Sequence, residues 1–218
     1  TFTLYAKWTY TNFDFTISKY DTATEAALTE NIGRLSLYCV EDSQTVATEN
    51  SNGVLSYGGT AGKTYRVLCT VGSTLPDKLW NATGVKVDMD YVTDYTFTAT
   101  QGLSLSKRFY FTKKNLLTIA FDSNEPTCYA NVTQPATPDE AIVGAEHYAE
   151  GQDIEVTAYP SDGFKLASVN LYNSSTQQPF GEISDPQNNK FTIPNLSVNV
   201  LAYLNFSKIP YSLSARAD

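Results

Sequence analysis

Along most of the chain, apolar and polar residues alternate with a period of two. The first ten residues, TFTLYAKWTY, set Phe2, Leu4, Ala6, Trp8 and Tyr10 against Thr1, Thr3, Tyr5, Lys7 and Thr9. That is the pattern of a strand with one apolar face. KTYRVLCTV (63–71) and DIEVTAYP (153–160) alternate in the same way. SNG at 51, GG at 58 and SDG at 161 are turn chemistry, in which glycine supplies the positive φ that other residues resist. One segment is compatible with a helix: TATEAALTENIGR, 22–34, with Thr24 as its cap and Gly33 as its stop. The predicted class is mainly β, with at most one short helix in each module.

The alternation also recurs at long range. YTFTATQGLSLSKRFYFTKKN (95–115) and KFTIPNLSVNVLAYLNFSKIP (190–210) both run Phe-Thr, turn, alternating strand, Phe, Thr or Ser, Lys. The opening ten residues match the end of this pattern, with Trp8 in the slot of Phe111 and Phe206. AGKTYRVLCTV (61–71) matches EGQDIEVTAYP (150–160), pairing Gly62 with Gly151, Val67 with Val156 and Cys69 with Ala158. NFDFTIS at 12 resembles NLLTIAF at 115. The division that follows is a terminal strand of a preceding module at 1–10, β-rich modules at 11–113 and 114–208, and a tail at 209–218. The start in mid-strand reads as a piece of a longer protein. TKKN at 112–115 leaves little linker, so stiff coupling is expected. β-sandwich and β-grasp-like topologies both satisfy the pattern.

Composition narrows the partners. The chain has 218 residues, is 42% hydrophobic and carries a formal net charge of −8. A core can form, while attraction to nucleic acid or an anionic membrane by general electrostatics is disfavoured. No run of apolar residues is long enough to span a bilayer as a helix. A monomeric fragment that needs no cofactor is expected.

The ending TLYAKW and the run YAEGQDIEVTAYPSDGFKLASVN, continued by FTIPNLSVNVLAYLNF, carry a family resemblance. They resemble the Listeria–Bacteroides repeats, of the internalin B-repeat type, over 148–206 and 1–9. Those repeats place a Gly before an alternating strand, then Ala-x-Pro, a Gly-aromatic turn, Phe-Thr-x-Pro and a final strand. Residues 11–113 depart from this: Cys69-Thr70-Val71 replaces Ala-x-Pro, and LPDKLW (75–80) replaces the Gly-aromatic turn. The resemblance implies large exported bacterial surface proteins and roles in spacing, adhesion or protein contact. It implies no catalytic residues.

Residues with chemical potential are few. His147 is the only histidine, and neither G-x-S-x-G nor H-E-x-x-H surrounds it, so an ordinary surface histidine is expected. YGGTAGKTY lacks the first glycine of a phosphate loop, because Tyr57 stands there, and a strand follows it. Asp88 and Asp90, on one face of an expected strand with Asp94 nearby, are candidates for a calcium ion, for the acid and base of a glycosidase or for a solvated strand face. Among the aromatics, Trp80, Tyr91 and Tyr95 are the carbohydrate-stacking candidates, Trp80 because it lies in the least regular segment, although core packing is the favoured reading of Trp80. The three cysteines show no zinc spacing. Two arrangements fit: a Cys39–Cys69 disulfide with Cys128 left over, or three buried thiols.

The reading is a non-catalytic extracellular segment of a bacterial cell-surface protein, acting as a stalk or protein-interaction module. Its partner would be a surface protein or glycan of a host or neighbouring cell. The alternative is a carbohydrate-binding accessory module of a secreted glycan-active enzyme.

Overall fold

A computed structural model describes residues 12–29, 32–121, 127–142 and 145–210. The expected strand at 1–10, with Trp8, lies outside the described residues, as does the tail from 211 on. The chain divides into two compact units, Thr1–Lys113 and Lys114–Asp218. The protein is mainly β, its helical content among the described residues being two single 3₁₀ turns, Asp77–Leu79 and Gln187–Asn189.

Unit one contains β1 (Asn12–Asp21), β2 (Arg34–Cys39), β3 (Gln44–Thr48), β4 (Leu55–Thr60), β5 (Thr64–Thr70), β6 (Trp80–Val87), β7 (Asp90–Val92), β8 (Thr96–Thr98) and the first part of β9 (Ser104–Phe121). One sheet runs β4-β1-β9-β6-β7, with β1 and β9 parallel and the other pairs antiparallel. The second runs β3-β2-β5-β8, all antiparallel. The alternation of NFDFTISKYD turns Phe13, Phe15 and Ile17 inward, where they meet Leu35, Leu37, Tyr65 and Val67 of the facing sheet. Phe109 and Phe111 complete the layer from β9. Each such side chain contributes roughly 1.5–3 kcal/mol by leaving water. The unit is a β-sandwich.

The helix that residues 22–34 would allow does not form in the described part of that segment. The chain turns at Thr22–Thr24 and folds back along β1. Ala26 O accepts from Asp21 N–H (3.0 Å), Leu28 N–H donates to Lys19 O (2.9 Å), and Ala27 bridges Tyr20. These backbone bonds to β1 outweigh a modest local helix propensity. Thr24 accepts from Ala26 N–H at 3.3 Å, a local turn in place of a helix cap.

Unit two begins with the remainder of β9 and adds β10 (Tyr129–Gln134), β11 (Glu140–Ile142), β12 (Ala145–Ala149), β13 (Ile154–Tyr159), β14 (Phe164–Asn173), β15 (Pro179–Ser184), β16 (Lys190–Ile193) and β17 (Val200–Lys208). Its larger sheet runs β11-β12-β9-β17-β14-β15, with β9 and β17 parallel. Its smaller sheet is β10-β13-β16. Leu117, Val169, Leu171, Val200, Ala202 and Leu204 pack against Ile154, Val156, Phe191 and Ile193. This too is a sandwich in which the first strand lies parallel to the last. Of the residues in the recurring aromatic slot, Phe111 is fully buried, whereas Phe206 is partly buried at the edge of its core.

Candidate functional site

The outer face of the larger sheet of unit one carries a row of three tyrosines. Tyr20 on β1 lies directly opposite Tyr110 on β9, with ring centroids 5.8 Å apart. On its other side Tyr110 faces Gly84 of β6. With no side chain at Gly84, the ring of Tyr91 reaches over from β7 and meets Tyr110 edge-on at 5.3 Å. Gly84 has φ +124° and a Cβ there would lie 2.6 Å from the Val92 carbonyl oxygen, so no other residue fits.

Two cations bracket the row. The Arg108 guanidinium lies over Tyr20 at 4.6 Å. Lys86 Nζ lies 5.5 Å from the Tyr110 ring centre and 5.9 Å from that of Tyr91, and it donates to Glu25 Oε1 at 2.7 Å. The Lys86 ammonium holds the Glu25 carboxyl below its ordinary pKa, and Glu25 in turn raises that of Lys86. Tyr110 is almost completely buried, while the Lys86 side chain beside it stays partly open to water. Tyr91, 38% exposed, is the member open to solvent. Tyrosine and arginine in this setting are the residue types that dominate protein-interface energetics.

The other candidates fall elsewhere. Trp80 is not an exposed platform: it begins β6, is 7% exposed and belongs to the hydrophobic core. Its segment, irregular in sequence, ends in a single 3₁₀ turn that delivers the indole inward. Tyr95 belongs to the opposite side of the sandwich. It packs against the core beside Phe97, and burial raises its hydroxyl pKa. Tyr91 and Tyr95 therefore do not share a surface. Asp88 and Asp90 do not share a strand face, because Val87 pairs with Asp90 and Asp88-Met89 forms the hairpin turn between them, with Asp88 at φ +57°. Among the described residues no three His, Cys, Asp or Glu side chains converge as metal ligands.

All three cysteines are free. In the β2–β5 ladder Cys39 pairs with Tyr65 and Cys69 with Leu35, four residues along. That offset is about 13 Å, far beyond disulfide reach. Burial pushes the Cys69 thiol up to about 12. His147 is a strand residue of β12 at 9% exposure rather than a surface histidine, and its Nδ1 has no hydrogen-bond partner.

Two features were not foreseen from sequence. On the smaller sheet of unit two, Tyr129 and Tyr159 are cross-strand partners stacked at 4.7 Å, 52% and 39% exposed. Inside unit one, Lys19 occupies an inward slot of β1, one step beyond Phe13, Phe15 and Ile17. Its ammonium is fully buried and donates to Ile32 O (2.9 Å), Gly33 O (2.8 Å) and Glu49 Oε1 (2.7 Å). Glu49 Oε2 accepts from Leu35 N–H at 2.8 Å. A lysine in the apolar register of F-D-F-T-I-S-K was the available signal.

No protein-family model matches the chain, and no curated protein matches it in sequence. Among solved structures it is similar to the Bacillus anthracis TIE protein, at 12% identity and a TM-score of 0.40, over 89% of this chain and 33% of that one. It spans about a third of that protein's length. It is similar to the shaft pilin SpaA of Lactobacillus rhamnosus GG, at 11% identity and a TM-score of 0.32, over 93% and 100% of the two chains. It is also similar to a DUF3823 family protein of Parabacteroides merdae, at 13% identity and a TM-score of 0.30, over 88% and 91%.

Proposed function

We propose that the chain is a non-catalytic, extracellular segment of a bacterial cell-surface protein, built from two copies of one β-sandwich module related to the Listeria–Bacteroides repeats. One observation carries this reading. Each unit places its first strand parallel to its last, and β9 serves as the last strand of one unit and the first of the next. A chain built so can be extended by further modules in the same manner, which suits a spacer or display segment. The tyrosine–cation row of unit one is the surface offered to a protein of a host or neighbouring cell. The test is mild protease treatment of intact source cells. Release of fragments containing this sequence is expected, and detection only after lysis would refute the reading.

A carbohydrate-binding accessory role is the second reading. It rests on the exposed Tyr129–Tyr159 stack, since Trp80 is buried. A glycan array should then show binding that is lost on Tyr159→Ala and kept on Tyr91→Ala.

A further inference from the structure

The two units differ at one edge. In unit one, β2 is flanked by β5 on one side and β3 on the other. In unit two, β10 takes the place of β2: Val132 pairs with Val156 as Leu37 pairs with Val67, and Ala130 pairs with Ala158 as Leu35 pairs with Cys69. Among the described residues, however, nothing occupies the place of β3, and β10 ends its sheet. The strand that follows it, β11, pairs with β12 in the other sheet.

The consequence is visible in the core. Leu35 and Leu37 are at 0% exposure beside β3, whose Ala47 pairs with Leu37 and which adds Val46 and Ala47 to the margin of the same core. Ala130 and Val132, smaller residues at the same two positions, are only partly buried. In front of them lies a cleft of about 610 Å³, lined by Leu117, Ile119, Ala130 and Val132 together with the polar Thr118, Asn131 and Glu146. β10 itself, Tyr129–Gln134, has no charged residue and no proline to protect a free edge, and its one irregularity is a register shift between Val132 and Gln134, beyond the stretch that carries Ala130 and Val132.

The geometry points to a strand-addition site in unit two: β10 receives an extended peptide from another protein, antiparallel, closing the sandwich as β3 closes unit one. The occupant's chemistry is read from β3, a short run of Thr, Val and Ala. Main-chain bonds to the free N–H and C=O groups of β10 would hold the added strand, and its inward apolar side chains would enter the cleft. Because Val132 and Ala130 are smaller than Leu37 and Leu35, the site takes a larger side chain than Ala47 opposite Val132. The inference goes beyond the proposed surface role and does not depend on where the protein resides.

The experiment uses the whole chain, isotope-labelled, and the synthetic peptide SQTVATEN, which is this protein's own 43–50. A second peptide carries Ala47→Leu, and a third carries Val46→Pro, which removes a donor and breaks the strand. Amide shifts confined to β10 and its cleft are expected with the first peptide. The Ala47→Leu peptide should bind more tightly and slow amide exchange along β10 about tenfold at ten times its Kd. The proline peptide should do neither. Absence of β10 shifts with both strand-forming peptides at about 1 mM, a Kd weaker than about 1 mM, overturns the proposal. So does an equal response to the proline peptide. Protection of β10 that grows with protein concentration and needs no peptide would assign the edge to a second copy of this chain, and would also overturn it.

Discussion

The buried Lys19–Glu49 pair makes a demanding test of the packing described for unit one. Replacing Lys19 by Met keeps the length of the side chain and its apolar contacts but removes three hydrogen bonds. It leaves the Ile32 and Gly33 carbonyls without their donor, and a carboxylate at 4% exposure without its counter-charge. Breaking such a pair from one side costs about 3–5 kcal/mol, mostly the penalty of the stranded charge. Glu49→Leu leaves the Leu35 N–H without its acceptor and an ammonium unbalanced in the core. About 3 kcal/mol is expected. The double variant Lys19→Met with Glu49→Leu removes both charges together, so its cost should fall short of the sum by about 1.5–3 kcal/mol. It should not fall to zero, because the two carbonyls and the Leu35 N–H remain without side-chain partners. The assay is urea unfolding followed by tryptophan emission. Both tryptophans, Trp8 and Trp80, fall within residues 1–113, so the signal reports unit one. Single variants costing under about 1 kcal/mol, or costs that simply add, would show that the ammonium is not held in a dry site, and would refute the reasoning.

Four further outcomes follow from particular contacts. Phe111→Ala, at a fully buried site, should cost unit one about 3–5 kcal/mol, while Phe206→Ala at the edge of its core should cost unit two clearly less, as read by calorimetry. Gly33→Ala should destabilise unit one as measured by urea midpoint, because φ is +55° and the added methyl would stand 2.9 Å from the Phe111 ring. A thiol reagent should find almost no reactive cysteine in the folded protein and three in urea, and intact mass should show no loss of hydrogen to a disulfide. Cys69 keeps its proton in the folded state up to about 12, but the unfolded thiol, with its ordinary pKa of 9.0, loses it earlier. Its contribution is therefore complete below pH 9 and is lost as pH rises toward 12, so Cys69→Val should flatten the fall in melting temperature above pH 9.

What the sequence revealed depended on the range of the interaction. Strands declare themselves by alternation, a property of neighbouring residues. Phe13, Phe15 and Ile17 could be assigned to one face before any partner was known. The 22–34 segment left a helix open by its local composition, while its hydrogen bonds go to β1, a choice made by tertiary packing. Trp80 allowed two readings, a stacking platform or a core residue, and it is a core residue, because an irregular turn can deliver a side chain inward. Asp88 and Asp90 depended on one residue, since a two-residue turn at Asp88-Met89 breaks the strand on which both were placed. The tyrosine row was beyond reach. Tyr20 and Tyr110 are 90 positions apart, and the contact of Tyr110 with Tyr91 depends on a glycine at 84 that in sequence looks like any other.

The open edge of β10 has a local cause that can be argued from the chain itself. After β2, the residues Val40–Ser43 form a turn, with Ser43 at φ +53°, and the chain returns as β3 to pair with the strand it has just left. After β10 the chain reads Pro135-Ala136-Thr137-Pro138. A hairpin return needs N–H groups at its first positions to knit the new strand to the old, and proline supplies none. Two prolines in four residues also favour extended backbone before each of them. The chain is thus carried away from β10 and next forms β11, whose partner is β12 in the other sheet. One module closes its sandwich with its own hairpin. The other spends the corresponding segment on the opposite sheet and leaves Ala130 and Val132 at an uncovered rim.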